Sequence, residues 1–195
     1  MPKRSICPDC ERPKKTCLCS EIVQLSCDYQ LVILQDPKEA KHALSSAPIL
    51  AKSITGARLI IGEIFDPVNL MGKNWQYESL LVFPSDDSLS STEAAQLKFK
   101  YVILLDGTWR KVSRLLHLNP WLTKIPSIAI KATNASEYKI RKSPREDGLS
   151  TIEAAVSVLN DLQAEKDFSP ILTAFRKMIA LQIMAMGSDT FKSNY

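Results

Sequence analysis

The chain has 195 residues, 45% of them apolar, and carries 25 lysines and arginines against 21 acids for a formal charge of +4. That length suits one domain with a sizeable core and a small appendage, and the charge permits a polyanionic partner without demanding one. No apolar run approaches the roughly 18 residues that cross a bilayer, and the charged front lacks a signal peptide's apolar core, so the reading is cytoplasmic with no membrane contact.

In a reducing compartment five cysteines argue against a disulfide framework, which makes their spacing the question. Cys7-Pro8-Asp9-Cys10 is followed, after a polar stretch holding Arg12, Lys14 and Lys15, by Cys17-Leu18-Cys19. Two cysteine pairs brought together by a turn suit tetrahedral zinc. With every ligand position filled, such a metal is structural and holds a short basic finger, residues 1–26, together. An iron–sulfur cluster is the other occupant that such a ligand set allows. Cys27 stands outside the pattern and reads as a small core residue.

The remaining domain, 27–195, alternates strands with helices. Tyr29 to Gln35 reads as a strand that Pro37 stops. A helical segment near Pro48 to Ser53, a strand over Ala57 to Ile64 and another over Ser79 to Phe83 follow. Ser90 and Glu93 form a capping box for a helix over Ser91 to Lys98. After the strand over Val102 to Leu105 and its helix, Ile125 to Ile130 is a fifth strand. Ser169-Pro170 opens a last helix whose buried stripe is Ile171, Leu172, Phe175, Ile179, Ile183 and Met186, ending at Gly187. The pattern is α/β with a mainly parallel sheet.

The most informative junction is Leu105-Asp106-Gly107-Thr108-Trp109. Open α/β sheets place their chemistry at strand ends, and here an acid ends a buried strand just before a glycine and a capping threonine. Val112, Leu115 and Leu116 follow at helical spacing, with Arg110, Lys111 and Arg114 on the other face, beside the site. A second segment adds weight. Arg141, Lys142 and Arg145 precede a Ser150-x-x-Glu153 capping box, after which Ile152, Ala155, Val156, Leu159 and Leu162 make one apolar stripe. Cations and helix-start amides gathered there suit an anionic ligand.

Neither His42 nor His117 sits where a base or metal ligand is expected, and both read as surface or capping residues. The chain has no glycine-rich dinucleotide fingerprint, no P-loop and no nucleophile-elbow serine. Its chemistry therefore rests on positioning and a carboxylate, not on a covalent nucleophile.

Taken together, Cys7-x-x-Cys10 with Cys17-x-Cys19, Asp36-Pro37-x-Glu39, Asp106-Gly107-Thr108-Trp109, and Arg141 through Ser150-Thr151-Ile152-Glu153-Ala154 resemble the DTW-domain family over nearly the whole chain. The cysteines look like its bacterial branch. The resemblance implies a tRNA-uridine aminocarboxypropyltransferase, which moves the 3-amino-3-carboxypropyl group of S-adenosylmethionine to N3 of a tRNA uridine and leaves methylthioadenosine. It also implies a SPOUT-like trefoil knot in the C-terminal part. On this resemblance Asp106 receives or directs the N3 proton. Leu105, Thr108, Trp109, Arg141, Arg145, Ser150, Thr151 and Glu153 surround the donor, while Glu39, Arg110 and Lys142 face the RNA. Where the family usually has His-Pro-x-Glu followed by an Asn-Thr pair, this chain has Asp36-Pro37-Lys38-Glu39 and then Ser45-Ser46-Ala47-Pro48, so Glu39 alone is carried over from that loop. The bacterial branch points to a uridine in the variable loop, and its relatives also to the D-loop; the protein acts as a monomer or homodimer. Two alternatives stand beside this reading: a SPOUT-like RNA methyltransferase, and a non-catalytic zinc-knuckle RNA-binding protein.

Overall fold

Each of the buried apolar runs in the sequence becomes a strand of one sheet in the computed structural model, which describes residues 5–130, 136–138 and 148–187. The strands are β1 Gln30–Gln35, β2 Arg58–Ile61, β3 Ser79–Val82, β4 Tyr101–Asp106 and β5 Ser127–Ile128. Every pairing is parallel, in the order β2-β1-β4-β3-β5. The inner strands are covered on both faces, which is why Leu31 to Leu34 and Val102 to Leu104 are continuously apolar rather than alternating.

The helices are α1 Pro37–Ala40, α2 Ala47–Ser53, α3 Pro67–Met71, α4 Trp75–Glu78, α5 Ser91–Gln96, α6 Trp109–Leu118, α7 Thr151–Leu162 and α8 Leu172–Met186. On one face Leu31, Ile33, Val102 and Leu104 pack with Leu50 of α2, Ala94 of α5, Ile152 and Leu159 of α7 and Phe175 of α8. On the other, Val32, Leu34 and Ile103 meet Met71 of α3, Trp75 of α4 and Leu115 of α6. The chain thus leaves β1 across one face toward β2, and leaves the adjacent β4 across the opposite face toward β5. Crossovers over opposite faces, running in opposite directions, open a crevice at the carboxyl ends of β1 and β4.

Several boundaries differ from the sequence expectation, each for a local reason. Pro37 does not merely stop β1. It is the first residue of α1, and the Asp36 carboxylate caps that turn by accepting from the amides of Lys38 at 2.8 Å and Glu39 at 3.2 Å. Asp66 and Pro67 repeat the device for α3, in a stretch where the periodicity predicts no element. β2 stops at Ile61 because Phe65 folds back over Gly62, whose absent Cβ would lie 2.9 Å from the ring. β5 is confined to Ser127 and Ile128, preceded by a proline that has no amide to donate. Both capping boxes form as read. A tight turn, Ser169–Ile171, precedes α8, whose Phe175 and Ile179 are buried as the stripe predicts.

The cysteine-bearing front is anchored to this body. Leu18, between two of its cysteines, is fully buried in the core that holds α7 and α8. Leu25 extends the edge, its amide donating to the Ser53 carbonyl at 2.9 Å. Cys27 packs half-buried against the same core, as the sequence predicts.

Candidate active site and metal centre

Asp106 closes β4 and is 4% exposed. Its register partner is Gln35, the last residue of β1, so both side chains leave the sheet on the same face. The Gln35 amide donates to Asp106 Oδ2 at 2.7 Å and to Ser45 Oγ at 2.9 Å, and the Ser45 hydroxyl donates to Oδ2 at 3.3 Å. From α7, the Thr151 hydroxyl donates to Oδ1 at 2.5 Å. The carboxylate is thus held between a neighbouring strand, the segment before α2 and the first turn of α7, whose positive end favours its charge.

Beside it a cavity of about 160 Å³ opens at the ends of β3, β4 and β5. Its walls are apolar, from Phe83, Pro84, Leu105, Trp109, Val112, Ile128, Ile130 and Leu149, and Thr151 and Gly107 line it on the Asp106 side. The Phe83 and Trp109 rings sit 6.3 Å apart at 57°, forming one aromatic wall. A slot with apolar side chains on its walls, a surface that is nearly half polar and a buried carboxylate beside it has the form of a small-molecule site. A Cβ on Gly107 would lie 3.0 Å from Lys111 Cβ, so the glycine lets the first turn of α6 close on the strand end.

The remaining residues singled out from the sequence take several different positions. Leu105, Trp109 and Thr151 line the cavity. Thr108 takes the N-cap position of α6 without a side-chain cap bond and is exposed, as is Arg110, which makes no ion pair among the described residues. Ser150 and Glu153 serve the capping box, and Glu153 also accepts from Ser136 Oγ at 2.8 Å and from the Glu137 amide at 2.6 Å, tying that upstream segment to α7. Glu39 is 1% exposed and accepts from Lys111 Nζ at 2.8 Å, an ion pair that joins α1 to α6 beneath the crevice. Arg114 is likewise engaged, by Glu63 at 2.6 Å. Arg141, Lys142 and Arg145 lie outside the described residues. His42 and His117 are exposed.

Gln35 and Ser45 each touch Asp106, although no motif in the sequence singles them out. The available signal is a polar residue ending the apolar run Leu31 to Leu34, since such a residue at a strand end faces the crevice.

At the front, the Sγ atoms of Cys7, Cys10, Cys17 and Cys19 all lie within 4.8 Å of one another. Cys7 and Cys19 are 3.6 Å apart and Cys10 and Cys17 3.7 Å, against about 3.8 Å for the edge of a tetrahedron with 2.3 Å zinc–sulfur bonds. The turn that brings the pairs together places Glu11 at a φ of 56°, and the Cys7 amide donates to the Arg12 carbonyl at 2.8 Å. Backbone amides of Cys10 and Asp9 directed at Cys7 lower its thiol pKa. For Cys10 burial opposes ionisation, but the amides of Leu18 and Arg12, with the thiols of Cys19 and Cys17, outweigh it and bring the pKa to about 6. The other three thiols push Cys19 up to about 12. Amides aimed at sulfur stabilise thiolates, and a soft dication suits this donor set.

The sheet, the crevice at its switch point and the carboxylate beside the cavity define an α/β domain with a candidate ligand site at the strand ends. The DTW domain family matches residues 4–183, and the chain belongs to that family. It is 28% identical to tRNA-uridine aminocarboxypropyltransferase 2 of Drosophila melanogaster, over 87% of this chain and 71% of that protein. The Mus musculus protein of the same name is 29% identical over 83% of this chain and 57% of its own length. tRNA-uridine aminocarboxypropyltransferase A of Arabidopsis thaliana is 35% identical over 92% of this chain and 81% of that protein. The chain thus spans little more than half of the mouse relative. No solved structure gives a significant match.

Proposed function

We propose that this chain is a tRNA-uridine aminocarboxypropyltransferase that uses S-adenosylmethionine and forms 3-(3-amino-3-carboxypropyl)uridine. The observation that carries the reading is the buried Asp106 carboxylate, bonded by Thr151, which itself lines the cavity at the strand ends of a DTW domain. When bound, the donor supplies an electrophilic γ-carbon on a sulfonium. What remains for the protein is to present that carbon instead of the methyl and to take a proton from the uracil imide. The N3–C bond forms, the C–S bond breaks, and methylthioadenosine leaves.

Thr151 is the link between cavity and carboxylate. It lines the cavity and donates to Asp106, so its hydroxyl accepts the N3 proton as it passes its own to Asp106 Oδ1. Trp109, Phe83 and Leu105 exclude water and receive the flat, apolar part of the donor. Ser150 and Glu153 act by fixing the helix start beside it, and Glu39 by fixing Lys111 under the α6 turn. Arg141 and Arg145 supply guanidinium groups for the donor carboxylate or RNA phosphates, and Arg110 and Lys142 face the RNA.

The four cysteines are read as a structural zinc site in a module over 1–26, on the near-tetrahedral sulfur spacing, with 27–195 as the catalytic domain. Exposed Lys14 and Lys15 on the finger and the basic loop then grip the tRNA body, a salt-sensitive contact. The all-parallel sheet with α7 returning to the strand ends is compatible with a SPOUT-like trefoil knot in the C-terminal part. No described helix is long and apolar enough to cross a membrane. Five cysteines outside any disulfide suit the cytoplasm, and the reading holds for a monomer or a homodimer.

Incubation with carboxypropyl-labelled donor and bulk tRNA tests this. Label in tRNA with release of methylthioadenosine is expected; S-adenosylhomocysteine instead marks a methyltransferase, and no transfer marks an RNA-binding protein. Asp106→Asn is expected to abolish transfer while retaining donor binding, and parental turnover in that variant ends the proton-acceptor assignment.

A further inference from the structure

Three consecutive residues outside any helix or strand, Ala43, Leu44 and Ser45, are each held by a different part of the molecule. The Ala43 carbonyl accepts from Arg12 Nη1 at 3.1 Å. The Leu44 carbonyl accepts from the hydroxyl of Tyr138, whose ring packs edge-on against Phe175 at 5.2 Å. Ser45 reaches the Asp106 carboxylate and the Gln35 amide. The segment lies between the end of α1 at Ala40 and the start of α2 at Ala47; Leu44 also packs against the core and the Ser45 amide donates to the His42 carbonyl at 3.0 Å, and the three long-range bonds add the ties to the rest of the molecule.

Arg12 is in turn fixed by the cysteines. Its carbonyl accepts from the Cys7 amide at 2.8 Å, its own amide is directed at Cys10 Sγ, and its Nε donates to the Thr16 carbonyl at 3.2 Å between the two cysteine pairs. Its Nη1 also lies 3.5 Å from Met178 Sδ. The guanidinium is therefore turned inward onto two carbonyls, although it stands in the basic front that otherwise suits RNA phosphates. An ammonium has no planar fork with which to join those two carbonyls.

We propose that the four-cysteine knuckle braces the reaction centre: Arg12, set by the knuckle, holds Ala43 and thereby fixes Ser45 on Asp106, which makes Arg12 a positioning residue. The metal module then acts on turnover as well as on RNA binding. The inference rests on Asp106 being the reaction centre.

The test uses the full chain loaded with zinc, as Arg12→Lys, Arg12→Ala and Tyr138→Phe. Readouts are zinc stoichiometry, amide exchange across residues 41–46, tRNA affinity against salt, and kcat apart from KM. For Arg12→Lys, zinc and tRNA affinity should hold, while exchange at Leu44 and Ser45 rises about tenfold and kcat falls about ten- to hundredfold. Tyr138→Phe should loosen the same amides with zinc unchanged, and combining it with Arg12→Ala should cost less than the product of the two effects, because both hold one segment. Removing zinc from the parent protein should raise exchange over 41–46 as Arg12→Ala does. Unchanged exchange in Arg12→Ala and on zinc removal overturns the brace. So does an Arg12→Lys protein of parental kcat whose alanine counterpart merely binds tRNA more weakly with a shallower salt slope, since that is a phosphate contact. If the parent protein transfers no aminocarboxypropyl group, the proposed reaction fails while the exchange arm still decides the brace.

Discussion

Gln35 and Asp106 end adjacent parallel strands in register, and the amide of one donates to the carboxylate of the other at 2.7 Å. Two polar side chains, 1% and 4% exposed, thus share the rim of a sheet next to the apolar runs Leu31 to Leu34 and Val102 to Leu105. A buried carboxylate persists in such a place only while donors surround it, and Gln35, Ser45 and Thr151 supply them from three separate chain segments.

Gln35→Leu should remove one of those donors and cost about 1–3 kcal/mol of stability, together with a large fall in kcat. Gln35→Glu should behave differently, because two buried carboxylates in contact share a raised apparent pKa. A carboxyl whose folded pKa is raised stabilises the fold while protonated and loses that contribution as pH rises. Thermal melts of Gln35→Glu should therefore show a larger deficit at pH 8 than at pH 5, and its activity should rise to a plateau at higher pH than the parent's. Equal deficits at both pH values would count against a buried contact between the two side chains.

Thr151 and Ser150 are neighbours with separable tasks. Ser150→Ala removes the cap of α7 and should cost about 1 kcal/mol in denaturant unfolding, with activity reduced modestly. Thr151→Val keeps the helix start but removes the hydroxyl on Asp106, so turnover should fall by about two orders of magnitude, with a stability loss of about 1–3 kcal/mol like that of Gln35→Leu. Comparing kcat with unfolding midpoints checks that Ser150→Ala affects mainly the fold and Thr151→Val both fold and turnover.

Gly107→Ala should place a methyl against Lys111 Cβ and push the first turn of α6, with Trp109, away from the strand end. Weaker donor binding is expected, on the order of tenfold, with the Lys111 to Glu39 pair disturbed. Calorimetric titration of the donor into this variant and into Trp109→Ala, which removes one aromatic wall, provides the comparison.

Strong chelation, or Cys10→Ser, should lower the melting temperature and expose the front to protease, since Leu18 is seated in the main core between cysteine ligands. Zinc retention should also decline as pH falls, because protons compete for the thiolates. Metal analysis across a pH series, read beside limited proteolysis, measures both effects.

Much of this molecule is local in origin and so was legible in the residues. The apolar runs made the strands, Ser90 with Glu93 and Ser150 with Glu153 made the capping boxes they spell, and the cysteine spacing sufficed to gather four sulfurs around one point. Asp106 was legible too, because an acid between a buried strand and a glycine turn marks the carboxyl end of that strand, where the crevice opens. That Gln35, Ser45 and Thr151 bond it was not, although the resemblance already sets Thr151 around the donor. Gln35 meets it only because β1 and β4 are neighbours in register, and Ser45 and Thr151 only because α2 and α7 cover the same face. The sequence likewise puts the α6 cations beside the site without showing their partners, and Lys111 and Arg114 are taken by Glu39 and Glu63 from other parts of the chain. Strand order and crossover direction are set by contacts distant in sequence, whose energies depend on the whole packed core, so only the tertiary structure decided which polar groups converge on the carboxylate.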